Sequence, residues 1–244
     1  MKNETINILL LNDDGHKSML SDKLGSYLDR INYIKVFKVF PANNMSCGSF
    51  SFTLNNKVSY VYDNKKYIVD GTSLDCYYFG RKLIETEGRK VNLIISGPNN
   101  GLNFGATRKY SSTFCSASEA YDNGCSALSI SIKNEDGLNE QIIEYIIWMM
   151  EFMLMQTYVL HININFFSSN IEKIIDDSGI DKSFKLQDTF ILDDYFIIKP
   201  NKSDLLKMKK SMMLEIRTTQ RENHIVFAEV KKFLELKSSV KNSK

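Results

Sequence analysis

Two adjacent aspartates follow a short aliphatic run near the start of the chain. The stretch from Ile6 to His16 reads INILLLNDDGH, so the run leads into Asp13 and Asp14 and then a glycine. Neighbouring carboxylates repel each other, and neither is buried cheaply without a counter-charge. A bound cation supplies that charge, although acids after a strand also serve as helix N-caps. The pair therefore indicates a metal site, with a helix cap as the alternative.

Two further polar loops carry oxygen-bearing side chains. They read PANNMSCGS over Pro41–Ser49 and SGPNNGLNFG over Ser96–Gly105. Hydroxyl, carboxamide and carboxylate oxygens suit Mg²⁺ or Mn²⁺ and suit zinc poorly. The glycines of the second loop and a helix start near Ser111–Thr113 favour a bound phosphate. Ordinary turn positions are the alternative reading for Asn99 and Asn103.

Strands alternating with helices would position these loops. The pattern predicts buried strands at INILLLN, IKVFKVFP, VNLIISG, CSALSISI and YVLHINI, and helices at SDKLGSYLDRIN, SLDCYYFGRKLIETEG, Ser112–Asn123 and Asn139–Gln156. KVSYVYDNKKYIVDG predicts a hairpin with its turn at Asp63-Asn64. We therefore predict an α/β fold of three α/β/α layers with a mostly parallel sheet. Ligands bind at the carboxyl edge of such a sheet, where the three loops would meet.

Composition sets limits on the class of protein. The 244 residues are 43% hydrophobic and 25% charged, which suffices for a sizeable core and argues against disorder. The formal charge is +2, but residues 199–244 carry a net +7 and the remainder −5. This basic end reads as a solvated helix face or as a contact for an anionic partner. We expect no nucleic-acid partner.

The cysteines and apolar runs bear on location. Cys47, Cys76, Cys115 and Cys125 form no CxxC pair, and the opening MKNETINILLLNDDG is interrupted too early for a signal peptide. The run IIEYIIWMMEFMLM contains glutamates and is short for a bilayer span. We expect a cytoplasmic protein that does not enter a membrane.

Several motifs, taken in order, resemble the SurE family of survival-protein nucleotidases. They are NDDG (Asn12–Gly15), PANNMSCGSFSFTL, DGTSLDC (Asp70–Cys76), SGPNNGLNFGATRKYSSTFCSASE (Ser96–Glu119), LHINI and DTFILDDYFIIKP. Together they span most of residues 6–200, and the stretch from Ser96 to Thr113 is the most specific of them. The resemblance implies a Rossmann-like, SurE-like fold.

The resemblance also implies an activity and a site. It implies a divalent-metal-dependent, acid-phosphatase-like 5′-nucleotidase that hydrolyses nucleoside 5′-monophosphates to nucleoside and phosphate, with 3′-monophosphates as further candidate substrates. One Mg²⁺ or Mn²⁺ per subunit would be held by Asp13, Asp14, Ser46 and Asn99. The phosphate would be lined by Asn103, Ser111, Ser112 and Thr113. Asp13 would also orient or deprotonate the attacking water, and a homodimer is the expected assembly.

Some positions depart from the family pattern. Ser112 stands where the family's YSGT motif has glycine, and the short segment Phe166–Gln187 replaces a long Arg-rich insertion. These departures leave a second hypothesis, a catalytically degenerate homologue that binds nucleotide or a protein partner.

The remaining predictions concern the chain after Pro200 and the single residues His16 and Glu119. We divide the chain into a SurE-like phosphatase domain, residues 1–200, and a basic helical tail, residues 201–244. Amphipathic helices are predicted at KSDLLKMKKSMMLEI and HIVFAEVKKFLEL. His16 is either a surface loop residue or an acid near the leaving group, and Glu119 either supports the site or faces solvent.

Overall fold

The computed structural model of the protein describes residues 5–133, 137–168, 171–176, 187–192, 195–200, 211–218 and 221–242. Within these ranges the elements follow in the order β1 (Ile6–Leu11), α1 (Met19–Leu28), β2 (Ile34–Pro41), β3 (Tyr60–Asp63), β4 (Lys66–Val69), α2 (Ser73–Thr86), β5 (Leu93–Asn100), a 3₁₀ helix (Gly105–Tyr110), α3 (Ser112–Asp122), β6 (Ala127–Ile132), α4 (Glu140–Met155), β7 (His161–Phe166), β8 (Lys173–Asp176), β9 (Gln187–Leu192), β10 (Tyr195–Pro200), β11 (Ser211–Arg217) and α5 (Asn223–Asn242).

Nine of these strands form one sheet in the order β3-β4-β2-β1-β5-β6-β7-β11-β8. Six consecutive strands of this sheet run parallel to one another: β4, β2, β1, β5, β6 and β7. Strand β3 is antiparallel to β4, and β11 is antiparallel to β7 but parallel to β8. Strands β9 and β10 form a separate antiparallel pair. The predicted α/β fold with a mostly parallel sheet is confirmed.

Helices cover both faces of the sheet. Successive side chains of a strand point to opposite faces, and in β1 Ile8 and Leu10 pack with α1, α4 and α5. Leu9 and Leu11 pack with α2 and α3 on the other face. All four side chains are fully buried, and each contributes about 1.5–3 kcal/mol by leaving water. The three-layer arrangement follows from this burial on both faces.

Helix α2 begins and ends where its sequence predicts. The Thr72 hydroxyl accepts from the Asp75 N–H, and the Asp75 side chain accepts in turn from the Thr72 N–H. This capping box satisfies N–H groups that a helix start leaves unpaired. Gly88, just beyond the last turn, has a φ of +70°, a conformation that glycine adopts without strain. Local chemistry thus accounts for both ends.

The predicted hairpin is formed by β3 and β4 at one edge of the sheet. Its two central turn residues are Asn64 and Lys65, with φ values of 49° and 62°. Two positive φ angles match the twist that a two-residue hairpin requires. The turn therefore lies one residue later than predicted.

The chain after Pro200 differs from the prediction. The helix predicted at KSDLLKMKKSMMLEI (202–216) is wrong for residues 211–216, which belong to β11 between β7 and β8; residues 201–210 lie outside the described ranges. Met212, Met213 and Leu214 are fully buried, so this strand is covered on both faces and lacks the alternation that distinguishes a strand from a helix.

The second helix predicted in this region is confirmed as α5. Its Val226, Val230 and Leu234 are fully buried and join the core cluster that contains α4. Together with β11, this helix ties residues 211–217 and 223–242 to the main sheet, while the domain boundary at residue 200 stays a prediction. No helix within the described ranges has the length and hydropathy needed to cross a membrane.

Candidate active site

The Asn12–Gly15 turn closes the end of β1. Asn12 is fully buried, its Oδ1 accepts from the Gly15 N–H at 3.2 Å, and its Nδ2 donates to the Gly15 carbonyl at 3.0 Å and to Ser21 Oγ at 2.9 Å. Gly15 has a φ of +93°, and a Cβ there would lie 3.1 Å from the Asn43 carbonyl carbon. The turn is therefore held rigidly, and it presents the two aspartates beyond the carboxyl end of β1.

Asp13 lies against the first turn of α3. Thr113 donates its hydroxyl to Asp13 Oδ1 at 2.7 Å and its N–H to Oδ2 at 3.3 Å. The side chain is nearly inaccessible, with 2% relative exposure. Burial is the main cause that raises the pKa of Asp13 to about 6, and the charge of the adjacent Asp14 adds to it. The hydrogen bonds from Thr113 oppose this rise. This is a carboxylate whose charge the protein stabilises only in part.

Asp14 is half-buried and points to the end of β5. Its Oδ2 accepts from the Asn100 N–H at 3.0 Å. Burial raises the pKa of Asp14 and the Asn100 hydrogen bond opposes that rise. A groove of about 380 Å³ opens beside Asp14 and is also lined by Asn44, Asn100 and Lys133. The space next to the carboxylate is large enough to admit a small polar ligand.

The second loop attaches to the aspartate turn through its backbone. The Met45 N–H donates to the Asp13 carbonyl at 2.7 Å. The next residue, Ser46, is exposed, and its N–H donates to Asn44 Oδ1 at 2.8 Å. The backbone contact places the Ser46 position beside the Asp13 turn.

The third loop begins within β5. A register shift against β6 lies between Ser96 and Asn99, and such irregularities redirect side chains at sheet rims. The peptide bond between Gly97 and Pro98 is cis. A Cβ at Gly97 would lie 2.4 Å from the Ile130 carbonyl oxygen, so only glycine fits there. Asn99, largely buried, donates its Nδ2 to the Gly101 carbonyl at 2.7 Å.

Buried residues of β6 and β7 hold Asn103. Its N–H donates to Asn165 Oδ1 at 2.6 Å, and its side-chain amide donates to Ser131 Oγ at 2.9 Å. Its carbonyl accepts from Asn163 Nδ2 at 2.8 Å and from Asn165 Nδ2 at 3.0 Å. These bonds fix the peptide of Asn103 to the sheet and engage the amide nitrogen of its side chain.

Ser111, Ser112 and Thr113 form the N-terminus of α3. Ser111 is the N-cap, and its hydroxyl accepts from the Phe114 N–H at 3.1 Å. Thr113 faces Asp13, whereas the Ser112 hydroxyl donates to the Met45 carbonyl at 2.7 Å and accepts from the Gly48 N–H at 3.0 Å. The Ser112 N–H, at the first helical position, has no acceptor within the helix.

The structure joins two of the predicted site residues, Asp13 and Thr113, by direct hydrogen bonds and brings the loops that carry the others next to them. Asp13, Thr113 and the Met45 backbone form one cluster, and Asp14 bonds to the residue after Asn99. Within the described ranges, Ser46 and Asn99 form no hydrogen bond with either aspartate. The same part of the chain holds no cluster of three or more His, Cys, Asp and Glu residues, so two carboxylates and neutral oxygens are the available donor set.

Comparison with known proteins identifies the family. The family model described as "Survival protein SurE" matches residues 8–180. The chain belongs to the SurE family. The three loops and the start of α3 all lie within the matched range.

Individual relatives agree with this assignment. The 5′-nucleotidase SurE of Campylobacter jejuni subsp. doylei is 38% identical over 127 residues, 51% of this chain and 48% of that protein. The 5′-nucleotidase SurE of Actinobacillus succinogenes is 34% identical over 128 residues, 52% of this chain and 50% of that protein. This chain therefore aligns with only about half the length of these curated relatives. The crystal structure of the SurE protein from Aquifex aeolicus matches with a TM-score of 0.67 and 23% identity, covering 94% of this chain and 99% of that one, which shows the common fold.

Two residues that the sequence left open now have contacts in this SurE-family chain. His16 is half-buried, and its Nδ1 lies 2.8 Å from the Ala42 carbonyl, so its ring links two loops. Glu119 accepts from the Tyr78 hydroxyl at 2.6 Å and from Asn123 Nδ2 at 2.9 Å. The Glu119 bonds lie between α2 and α3 and at the end of α3.

Sequence reasoning missed several residues that shape the site. Asn12 closes the aspartate turn, while Ser131, Asn163 and Asn165 hold Asn103. A signal for two of them was present, because HININ in β7 places polar side chains at every second position of a buried strand. Polar groups buried at that period require partners on one face of the sheet.

Proposed function

We propose that the protein is a divalent-metal-dependent phosphomonoesterase that hydrolyses nucleoside 5′-monophosphates, and 3′-monophosphates as further candidate substrates. One observation carries the proposal. Asp13 and Asp14 are adjacent carboxylates beyond the end of β1, Asp13 is hydrogen-bonded to Thr113 in the first turn of α3, and among the described residues neither carboxylate forms an ion pair with a lysine, arginine or histidine. The alignment with proteins called 5′-nucleotidase SurE supports the substrate class.

The donor set fits a hard divalent cation. Two adjacent carboxylates without an ion-pair partner among the described residues leave a local negative charge, which a divalent ion would neutralise. We assign the ion, Mg²⁺ or Mn²⁺, to Asp13 and Asp14, with Ser46 and Asn99 as neutral oxygen ligands from the adjoining loops. A bound ion of this kind polarises a phosphoryl oxygen and makes water a better nucleophile.

The chain's own residues supply orientation and proton transfer. Asp13, held at both oxygens by Thr113, is the group that would orient the attacking water and accept its proton. A carboxylate held in this way can act as a general base toward a water within hydrogen-bond reach. The hydrogen bonds limit the rotation of this carboxylate.

The phosphate is assigned to the N-terminus of α3 and the adjoining loop. The Ser112 N–H and the partial positive charge of the helix end favour an anion there. We assign the phosphate to Asn103, Ser111, Ser112 and Thr113, with Ser112 contributing its backbone N–H. Donors fixed before the reaction stabilise charge on the transferring phosphoryl oxygens.

Phosphate release tests the proposal. Wild type and Asp13→Asn are assayed on nucleoside 5′- and 3′-monophosphates with Mg²⁺, with Mn²⁺ and with EDTA. Wild-type turnover should require metal, and Asp13→Asn should lose about 100-fold or more, because both a ligand and a proton acceptor are removed. Asp63→Asn, an exposed carboxylate on the edge strand β3, is the matched control and should retain activity.

The negative outcome is equally informative. If folded wild-type protein releases no phosphate with any metal, the enzymatic proposal is rejected and the alternative remains, a degenerate homologue that binds nucleotide or a protein partner. Nucleotide binding by calorimetry then separates those two roles. The expected homodimer is tested by light scattering, and the cytoplasmic location by cell fractionation.

A further inference from the structure

Ser112 departs from the family pattern, and its side chain connects two loops of the site. The residue is 2% exposed, and its hydroxyl donates to the Met45 carbonyl and accepts from the Gly48 N–H. These two residues flank Ser46, the neutral metal ligand proposed above. One hydroxyl therefore bonds to both ends of the turn that carries Ser46.

The space for this hydroxyl depends on Gly48. A Cβ added at Gly48 would lie 2.9 Å from Ser112 Oγ and 3.0 Å from the Met45 carbonyl oxygen, closer than van der Waals contact allows. A larger residue at 48 would therefore push the hydroxyl away. Ser112 and Gly48 form a complementary pair, in which the Ser112 hydroxyl occupies space that a side chain at position 48 would need.

The hydrogen bonds of the Ser112 hydroxyl complete a ring of contacts around the aspartate turn. The Met45 N–H donates to the Asp13 carbonyl and its own carbonyl accepts from Ser112. Thr113, the next residue of α3, donates to the Asp13 carboxylate. The turn at 45–48 is thus bonded on one side to the Asp13 loop and on the other to the start of α3.

We propose that the Ser112 hydroxyl is a positioning group that holds the Met45–Gly48 turn, and with it Ser46, in place for the cation. The proposal rests on the proposed metal site. It assigns the Ser112 side chain to the loop and leaves only its N–H for a phosphate. A serine at this position then preserves the site, because its hydroxyl is buried in the loop and does not occupy the phosphate position.

Mn²⁺ affinity of the metal-free full-length protein provides the main test. Dissociation constants are measured by electron paramagnetic resonance for wild type, Ser112→Ala, Ser46→Ala and the double variant. Ser112→Ala should weaken binding about 3- to 10-fold, as expected for one lost tie to the turn. The double variant should bind no more weakly than Ser46→Ala alone, since Ser112 acts through Ser46. Additive losses would overturn the proposal.

A matched control and a metal-free readout complete the design. Ser116 lies on the same helix, is buried, and its hydroxyl has no hydrogen-bond partner among the described residues, so Ser116→Ala should leave Mn²⁺ affinity unchanged. The Gly48 N–H also donates to the Met45 carbonyl at 3.2 Å, so Ser112→Ala removes one of its two acceptors. Amide exchange of Gly48, followed by NMR without metal, should accelerate in Ser112→Ala and stay unchanged in Ser116→Ala. An unchanged rate of Gly48 amide exchange in Ser112→Ala would show that the Ser112 hydroxyl does not hold the turn, and would overturn the proposal.

Failure of the two proposals can be told apart. If wild type binds no Mn²⁺, the metal site is rejected, and the role of Ser112 toward Ser46 falls with it. If wild type binds Mn²⁺ and Ser112→Ala binds equally well, only the Ser112 proposal is rejected. If Ser112→Ala does not fold, Gly48→Ala still decides, because its Cβ would displace the Ser112 hydroxyl while residue 112 stays serine: it should weaken Mn²⁺ binding, and unchanged affinity would overturn the proposal.

Discussion

The hydroxyl of Thr113 donates to Oδ1 of Asp13 at 2.7 Å, across 100 residues of sequence. A second bond, from the Thr113 N–H to Oδ2, occupies the other oxygen. The pair joins the carboxyl end of β1 to the first turn of α3. The orientation of the Asp13 carboxylate is therefore set by a residue in a different motif, and that relationship gives the first prediction.

Replacing Thr113 by valine should impair catalysis while preserving side-chain shape. A hydrogen bond to a buried carboxylate contributes about 1–3 kcal/mol, so we expect kcat/KM for phosphate release to fall about 10- to 100-fold. Thr113→Ser keeps the hydroxyl and should stay within a few-fold of wild type. Steady-state kinetics on a nucleoside monophosphate measure both. Equal activity of the valine and serine variants would show that the hydroxyl is dispensable.

Replacing Asn165 by alanine should loosen the phosphate loop. Its side chain accepts from the Asn103 N–H and donates to the Asn103 carbonyl, and a buried N–H left without an acceptor costs about 1–3 kcal/mol. We expect the free energy of unfolding to fall by about that amount and KM to rise. Chemical denaturation and kinetics check the two effects. The control is Asn123→Ala, which changes an exposed asparagine that bonds to the Glu119 carbonyl of α3. An equal loss of unfolding free energy in both variants would contradict the role of Asn165 in holding Asn103.

His161 should make stability depend on pH. This residue is buried on β7, where its Nε2 lies 3.1 Å from Ser129 Oγ and its ring lies near Phe114 and Tyr121. Burial is the main cause that lowers the pKa of His161 to about 3, and the positive charges of Arg217 and Arg108 add to it. The folded protein keeps it neutral, while the unfolded chain binds a proton below about pH 6.5. The stability from neutral His161 is therefore complete above pH 6.5 and is lost progressively as pH falls toward 3.

A glutamine variant isolates this effect. Between pH 7 and pH 5 the unfolding free energy of wild type should drop by about 2 kcal/mol more than that of His161→Gln. Urea denaturation at both pH values measures the difference. His224→Gln, which changes an exposed histidine at the start of α5, should follow wild type. Parallel curves for wild type and His161→Gln would mean that His161 does not contribute.

Two leucines of α5 should respond very differently to truncation. Leu234 is fully buried in the cluster with α4, whereas Leu236 is 56% exposed. Removing a buried leucine side chain costs about 2–5 kcal/mol, so Leu234→Ala should lose that much in unfolding free energy. Leu236→Ala should lose less than about 1 kcal/mol. Thermal and chemical unfolding test this, and similar losses would argue that α5 does not dock on the core.

Features that depend on neighbouring residues could be predicted from the sequence. The starts of α2 and α4 follow from the capping side chains of Thr72, Asp75 and Asn139. The parallel strands follow from their continuous apolar runs. The convergence of three polar loops also followed, because parallel strands bring their carboxyl ends to one edge. The candidate ligands came from the resemblance to the family's motifs, and they stay a prediction.

Features that depend on distant residues became visible only in the folded chain. Residues 211–217 form a strand because β7 offers an edge and the segment is buried on both faces, while its apolar pattern alone fits a helix equally well. The Ser112 hydroxyl bonds to a loop 64 and 67 residues away in sequence, and Asn103 is held by residues 60 and 62 positions away on β7. Such contacts arise when separate elements pack together; the alternating asparagines of β7 indicate that partners are required but not which residues supply them.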